Sequence, residues 1–349
     1  MLRDLQLRNF RCFESLAAEF QAGFNFIVGA NGEGKTTLLE AACVLLRLQS
    51  QRTASLAPAV RAGARSFVLS GHVDAHLLQF YYSWLRRKIA FDVREQRDPA
   101  EHLRLVRVVS FAGNDLDLIR GPSETRRRYL DFIGTQTEAS YRPALRAYER
   151  ALRARNSLLK SPPPRAREIA AYTEPLIRAG NLLHAMRDQL VRRLAPLAEA
   201  SHRAISGGDE ILGLEYAPGN DDDFAAQLER SRPEEERLRL TTVGPHRDDL
   251  RLRVETMPAA QFASEGQQRT AALALKLAQA QVFAEEADAP PLLLIDDIFG
   301  ELDSARRNAL LAHLPNESQK LVTATSLQWR ERDWPGPVLE LAGRGIRRL

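Results

Sequence analysis

Apolar and polar residues stand in two different rhythms along this chain. Near the start, Leu2, Leu5 and Leu7 are interleaved with Arg3 and Gln6, and a second mixed stretch ends at Phe20. That pattern predicts paired edge strands ahead of an apolar segment, Phe24-Asn25-Phe26-Ile27-Val28, which reads as a strand of its own. The run over 38–48 then predicts a helix. Strand character resumes over 67–73 after a polar link opened by Ser50-Gln51-Arg52-Thr53, and continues through 81–84 and 89–93 to 109–111.

The rhythm changes from Asp115 onward. Tyr141, Leu145, Tyr148 and Leu152 are spaced four, three and four apart, which predicts one face of a helix reaching about residue 159 and stopped by Pro162-Pro163-Pro164. Tyr172, Leu176, Ala179, Leu183, Met186, Leu190, Leu194 and Leu197 form a second stripe, so the two helices can pack as an antiparallel hairpin. Core packing accounts for both stripes without a cofactor. The triplet Asp221-Asp222-Asp223 reads as a helix start. Strand-like sequence returns near Leu240, and Leu250, Leu252 and Val254 alternate. An apolar helix follows over 270–284, then Leu292-Leu293-Leu294-Ile295 predicts a buried strand ending in Asp296 and Asp297. A final strand is expected over 321–326.

Composition narrows the class. At 349 residues the chain can bury a large core and form two subdomains. No apolar run approaches the roughly 20 residues of a membrane helix, and Met1-Leu2-Arg3-Asp4 lacks a signal-peptide layout, so a cytoplasmic location without membrane attachment is expected. Two cysteines, Cys12 and Cys43, give neither a disulfide framework nor a metal site. The net charge is only +4, yet five lysines leave 44 of 49 basic residues as arginine, which is either a supply of phosphate contacts or a compositional bias with solvated side chains.

The chemistry lies in the link between the 24–28 strand and the 38–48 helix, Gly29-Ala30-Asn31-Gly32-Glu33-Gly34-Lys35-Thr36-Thr37. Glycines at this spacing let backbone N–H groups curl around nucleotide phosphates, with Lys35 reaching the β- and γ-phosphates and the Thr36 hydroxyl ligating Mg²⁺. The helix start adds a positive dipole end. ATP and Mg²⁺ are the ligands this implies. Asp296, ending its strand, has the position of a second Mg²⁺-holding carboxylate, and Asp297 that of a group orienting or deprotonating the attacking water; either could instead cap the next element. Ser264, Gly266 and Gln267 offer a hydroxyl, bare backbone and a helix start, which is a second phosphate-binding device or an ordinary N-cap.

In this order the motifs resemble those of ABC-type ATPases, with Ser264-Glu265-Gly266-Gln267 similar to the signature sequence and Gly300-Glu301-Leu302-Asp303 to the D-loop that brings Asp303 to the nucleotide. The resemblance extends to the bacterial RecF family through residues 31–40, 114–123, 126–131 and 155–159, through Gly244-Pro245-His246-Arg247-Asp248-Asp249, and through Gly266-Gln267-Gln268-Arg269. It implies an α/β ABC/SMC-type ATPase head with a helical second lobe, ATP-dependent dimerisation on DNA, slow hydrolysis, and help in loading RecA at gaps together with RecR and RecO. Departures exist: Ala263 replaces the leucine usual before the signature serine, Phe111-Ala112-Gly113 supplies no Q-loop glutamine, and no histidine follows Thr323-Ala324-Thr325, leaving a threonine or serine as γ-phosphate sensor. Arg52 matches a family arginine that approaches nucleotide or DNA, or is simply solvated. The expected head comprises 1–114 and 239–349, with a helical arm over 115–238. With one phosphate loop and one signature per chain, function requires two chains head to tail. A transporter ATPase subunit would bring the signature closer to the phosphate loop, and an architectural SMC-like clamp would carry far longer arms.

Overall fold

The computed structural model describes residues 1–349 except 54, 162–165, 209, 221–222, 287–289, 301 and 331–333. The expected stop at Pro162-Pro163-Pro164, the first two residues of the acidic triplet and Glu301 of the expected D-loop lie outside the described residues. The chain packs as two units, Met1–Asp115 with Gln279–Leu349, and Leu116–Ala278.

At the centre of the first unit is helix Lys35–Arg47, buried from Thr37 to Arg47. A helix apolar on every side belongs inside a core, and this one lies between two six-stranded sheets. One sheet has the order Gly345–Arg348, Val338–Ala342, Phe24–Val28, Lys320–Ala324, Leu292–Asp296, Val108–Ala112, with every neighbouring pair parallel except the C-terminal hairpin. Its inner strand Leu292–Asp296 is buried from Leu292 to Ile295, which is why that stretch reads as an unbroken apolar run. The other sheet is antiparallel, ordered Phe13–Glu19, Asp4–Phe10, Ser66–Val73, His76–Ser83, Arg87–Phe91, Arg94–Gln96. Alternate residues such as Leu5, Leu7, Phe67 and Leu69 are buried, so period two is what one covered face requires. The Gln319 amide joins the sheets by accepting from the Leu2 N–H at 2.9 Å and donating to the Leu2 carbonyl at 2.7 Å.

Several expectations are corrected by this topology. The N-terminal strands do pair with each other, and Phe13–Glu19 is an edge of the antiparallel sheet, but Asp4–Phe10 is an interior strand. Residues 320–324 are not the last strand: Val338–Ala342 and Gly345–Arg348 extend the parallel sheet, each too short and too interrupted by charge to show a clear period. Trp84, read as strand, lies in a turn.

The second unit is built on helices Ser123–Thr137, Tyr141–Lys160 and Ala166–Ser206. The last two form the expected hairpin, and 41 residues make the longer arm about 60 Å. Tyr141, Tyr148, Leu176, Leu183 and Phe224 share one core, with Leu145 and Leu152 packed at its margin. A three-stranded sheet, Met257–Pro258, Asp249–Val254, Leu212–Ala217, completes the unit. The middle strand pairs along its length with Leu212–Ala217, and the Tyr129 hydroxyl donates to the Leu275 carbonyl at 2.7 Å. Residues 239–278, expected in the head, therefore pack with the arm. No strand forms near Leu240 because side chains hold that backbone: Asn156 accepts from the Thr241 N–H at 2.8 Å and Glu235 from the Thr242 N–H at 3.0 Å. Strand Leu212–Ala217, in which Leu212, Leu214 and Tyr216 alternate with Gly213 and Glu215, was not among the expected strands although its period of two was the available signal.

The segment Gly244-Pro245-His246-Arg247-Asp248-Asp249 is a buried hub. Asp248 accepts from Arg187 at 2.6 Å, His184 at 3.1 Å, the Gly219 N–H at 2.7 Å and the Tyr216 hydroxyl. Arg187 also donates to Asp131 at 2.7 Å and to the Pro245 carbonyl at 2.7 Å. Burial alone pushes the Asp248 carboxyl up, but the His184 bond and the Arg187 guanidinium outweigh it and hold the group below the usual carboxylate range. His246 lies 3.0 Å from the Thr241 carbonyl through Nε2, so that nitrogen carries the proton, and Nδ1 accepts from Tyr148 at 2.7 Å. Burial lowers the His246 pKa to about 4.

Candidate functional site

The phosphate loop takes the shape its glycines permit. Gly32 and Gly34 have φ of +88° and +104°, a region other residues enter only with strain, and a Cβ on Gly34 would strike the Phe13 ring at 2.5 Å. Gly34 is also the N-cap of helix Lys35–Arg47, and having no side chain it leaves the first-turn N–H groups without a side-chain acceptor. Those donors face outward at the positive end of the helix, which is the arrangement an anion fills. Lys35 is buried and its ammonium spans the loop, donating to the Gly29 carbonyl at 2.8 Å and the Ala30 carbonyl at 3.1 Å. The residues present thus fit a bound polyphosphate. Asn31 and Gly32 lie exposed on the rim, with Glu33 beside them half-buried.

Sheet order brings the acidic pair to the loop. Lys320–Ala324 runs between the Phe24–Val28 and Leu292–Asp296 strands, setting Ile27, Thr323 and Asp296 in one row at the strands' C-terminal ends. The Asp296 carboxylate accepts from the Thr36 hydroxyl at 3.0 Å and from the Thr323 hydroxyl at 2.7 Å. A hydroxyl and a carboxylate meeting in this way fit Mg²⁺, which takes few protein oxygens when phosphates and water supply the rest. Asp297 has a left-handed backbone, φ +53°, fixed by its N–H donating to the Thr323 hydroxyl at 3.0 Å. Burial and the neighbouring Asp296 push its carboxyl above the usual range against the pull of Lys35, a perturbation of the kind found at functional carboxylates.

One cluster went unread in the sequence. Glu40, fully buried one turn behind Lys35, accepts two bonds from Arg11 at 3.0 and 2.7 Å, one from Ser50 at 2.6 Å and one from Arg52 at 3.2 Å. A lone carboxylate inside the apolar run 38–46 was the available signal, since a buried charge requires partners. It ties down Arg52, the arginine whose surroundings the sequence left open.

The remaining expected residues sit elsewhere. In the second unit Ser264 precedes helix Glu265–Glu286: its Oγ accepts from the Gln267 N–H at 3.3 Å, and the Gln267 side chain accepts from the Ser264 N–H at 2.7 Å. This reciprocal capping box satisfies two terminal donors and leaves Ser264 exposed at a helix start beside Gly266. Gln268 takes a bond from Arg120 and braces the Ala263 carbonyl at 2.9 Å. Asp303, in the first unit, caps helix Ser304–His313 by accepting from the Arg306 N–H at 2.8 Å, and that bond lowers its pKa. At the position lacking a Q-loop glutamine, Asp115 accepts from the Ala112 N–H at 2.8 Å. Among the described residues no helix is long and apolar enough to cross a membrane.

Comparison with known proteins agrees with this geometry. The family described as RecF/RecN/SMC N terminal domain matches residues 1–331. The DNA replication and repair protein RecF of Symbiobacterium thermophilum is 39% identical, the match covering 96% of this chain and 94% of that protein; its counterpart in Cyanothece is 36% identical, over 98% and 96%. A solved structure of the recombination mediator protein RecF with ATP, in the RecFOR pathway, superposes with a TM-score of 0.91 at 26% identity, over 100% of this chain and 97% of that one. The Smc head domain of Pyrococcus furiosus shares the fold alone, with a TM-score of 0.57 at 16% identity over 100% and 95%. With a family match spanning nearly the whole chain and relatives above 30% identity along its length, the chain belongs to the RecF/RecN/SMC family and, within it, to the RecF proteins.

Proposed function

We propose that this chain is an ATP-switched DNA-binding protein of recombinational repair and replication restart, closing as a homodimer on gapped DNA to help load RecA with RecR and RecO. The observation that carries this reading is the 3.0 Å meeting of Thr36 with Asp296 beneath a lysine-spanned, uncapped phosphate loop, in a RecF chain whose solved relative holds ATP. Thr36 and Asp296 would hold Mg²⁺, which supplies positive charge beside the phosphates. Ser264, Gly266, Gln267 and Asp303 would close on the nucleotide from the second chain. The arginine surplus serves DNA phosphates without reading sequence. The decisive experiment is sedimentation with ATP, ADP or neither, with and without gapped duplex. A dimer that forms only with ATP and is held on DNA is the expected result; a species unchanged by ATP would remove the reading.

Asp297→Asn is expected to keep ATP binding and to trap the dimer on DNA, because the amide keeps the shape and cannot accept a proton. Hydrolysis should fall by about two to four orders of magnitude, the usual contribution of a positioned base. Since the Asp297 carboxyl is raised, parental turnover should decline on acidification at a pH above the ordinary carboxylate range. Single-turnover hydrolysis in both proteins checks this, and parental rates in Asp297→Asn would place the base elsewhere.

A further inference from the structure

Two large apolar side chains that stand nearly free of the described protein are neighbours, Trp84 at 75% and Leu85 at 99% exposure. They form the tip of the hairpin joining His76–Ser83 to Arg87–Phe91, closed by the Ser83 N–H donating to the Arg86 carbonyl at 2.8 Å and the Ser83 hydroxyl accepting from the Arg86 N–H at 3.0 Å. Two-residue hairpin turns favour Gly, Asn or Asp with positive φ. Neither Trp84 nor Leu85 has positive φ, whereas the next turn in the same sheet uses the left-handed form at Asp92 and Val93, φ +47° and +69°. Turn chemistry therefore did not select a tryptophan and a leucine at this tip, and among the described residues none covers them.

The strand leaving the tip opens with consecutive basic residues, Arg86, Arg87 and Lys88. A single carboxylate, Glu95, faces two of them, at 3.7 Å from Arg86 and 2.9 Å from Lys88, while the Arg87 guanidinium lies 5.3 Å over the Tyr82 ring. The tip thus carries a net positive charge behind a flat aromatic ring. It is convex, so it enters its partner rather than enclosing it. A ring backed by cations matches a polyanion with unstacked flat groups, which is single-stranded nucleic acid: each base offers a π-face and each linkage a phosphate.

We infer that the Trp84–Leu85 hairpin tip is a single-strand contact, with Trp84 stacking on an unpaired base and Arg86, Arg87 and Lys88 holding the adjacent phosphates. This rests on the DNA-binding reading above and adds to it a place and a strand type, the unpaired part of a gapped substrate. The side chains lie outside the nucleotide site, so ATP hydrolysis in the absence of DNA is unaffected by their replacement.

The test uses the full chain with ATP, a labelled oligothymidine and a duplex of equal length. Trp84→Ala should weaken oligothymidine binding about tenfold, the effect of losing one base stack, and leave duplex affinity and the thermal midpoint unchanged. The salt dependence of the remaining binding should keep its slope, because stacking releases no counterion; replacing Arg86, Arg87 and Lys88 together should flatten it. Trp84→Phe should restore affinity while losing the tryptophan quenching that accompanies binding in the parent. Equal affinities in parent and Trp84→Ala, or a loss seen only on duplex, would overturn the tip assignment and leave DNA binding standing. A parental chain that binds neither DNA removes both.

Discussion

Lys35→Ala is expected to abolish ATP-dependent dimerisation. The ammonium is the one side-chain charge spanning the phosphate loop, and its two carbonyl bonds, to Gly29 at 2.8 Å and Ala30 at 3.1 Å, shape the loop before any ligand arrives. Its removal has two effects of the same sign. The loop loses the cation that faces β- and γ-phosphate, and two inward carbonyls lose their donor. Charge-assisted hydrogen bonds contribute about 1.5–3 kcal/mol each, so ATP affinity should fall by roughly two orders of magnitude or more. Equilibrium binding of a fluorescent ATP analogue measures the loss, and sedimentation in ATP should show monomer. Because Lys35 is buried and its two carbonyl partners lose their donor, the melting midpoint without nucleotide should also fall, by far less than nucleotide affinity does. Normal dimer formation by Lys35→Ala would sink the assignment of this loop.

Asp248→Ala should be the most damaging single change to the fold of the arm unit. The carboxylate is fully buried and takes donors from Arg187, His184, Tyr216 and the Gly219 backbone at once. Alanine leaves the Arg187 guanidinium, itself 3% exposed, with Asp131 as its remaining carboxylate, and strands three further donors. Breaking one side of a buried ion pair costs about 3–5 kcal/mol, far more than the intact pair contributes, since the penalty is that of an uncompensated charge. Chemical denaturation should register the full loss, and Asp248→Asn, which keeps an acceptor oxygen, about half of it. An unchanged midpoint would show that the hub contributes nothing net. Acid should weaken the same region in two stages. His246 is held neutral down to about 4, so the unfolded chain binds that proton first and stability falls as pH drops from about 6.5 towards 4. The depressed Asp248 contributes stability above the ordinary carboxylate pKa that is lost only as pH falls through its lower folded value.

How much of this could be read from residue order depends on the range of the physics involved. The shape of the 29–37 loop was legible because it is set locally: two glycines with positive φ and the uncapped start of one helix all lie within these residues. The hairpin was legible because a stripe at steps of three and four can only be one helix face, and the observed helices cover the stripes. The strand ending in Asp296 was legible because a double-covered strand must be apolar throughout. Periodicity reports which face is buried and never against what. It could not reveal that Thr36 and Asp296, 260 residues apart, share a bond, or that the Thr323 hydroxyl donates to the Asp296 carboxylate and accepts from the Asp297 N–H, because strand order is a global choice among nearly equal local patterns. It misplaced residues 239–278 for the same reason: the partner of Asp249–Val254 is Leu212–Ala217, and the period of neither strand names its partner. Glu40 with Arg11 and Arg52, and Asp248 with Arg187, were likewise decided in three dimensions. A charge becomes tolerable in a core only when chain segments distant in sequence arrive to neutralise it, and that arrival is a property of the tertiary fold.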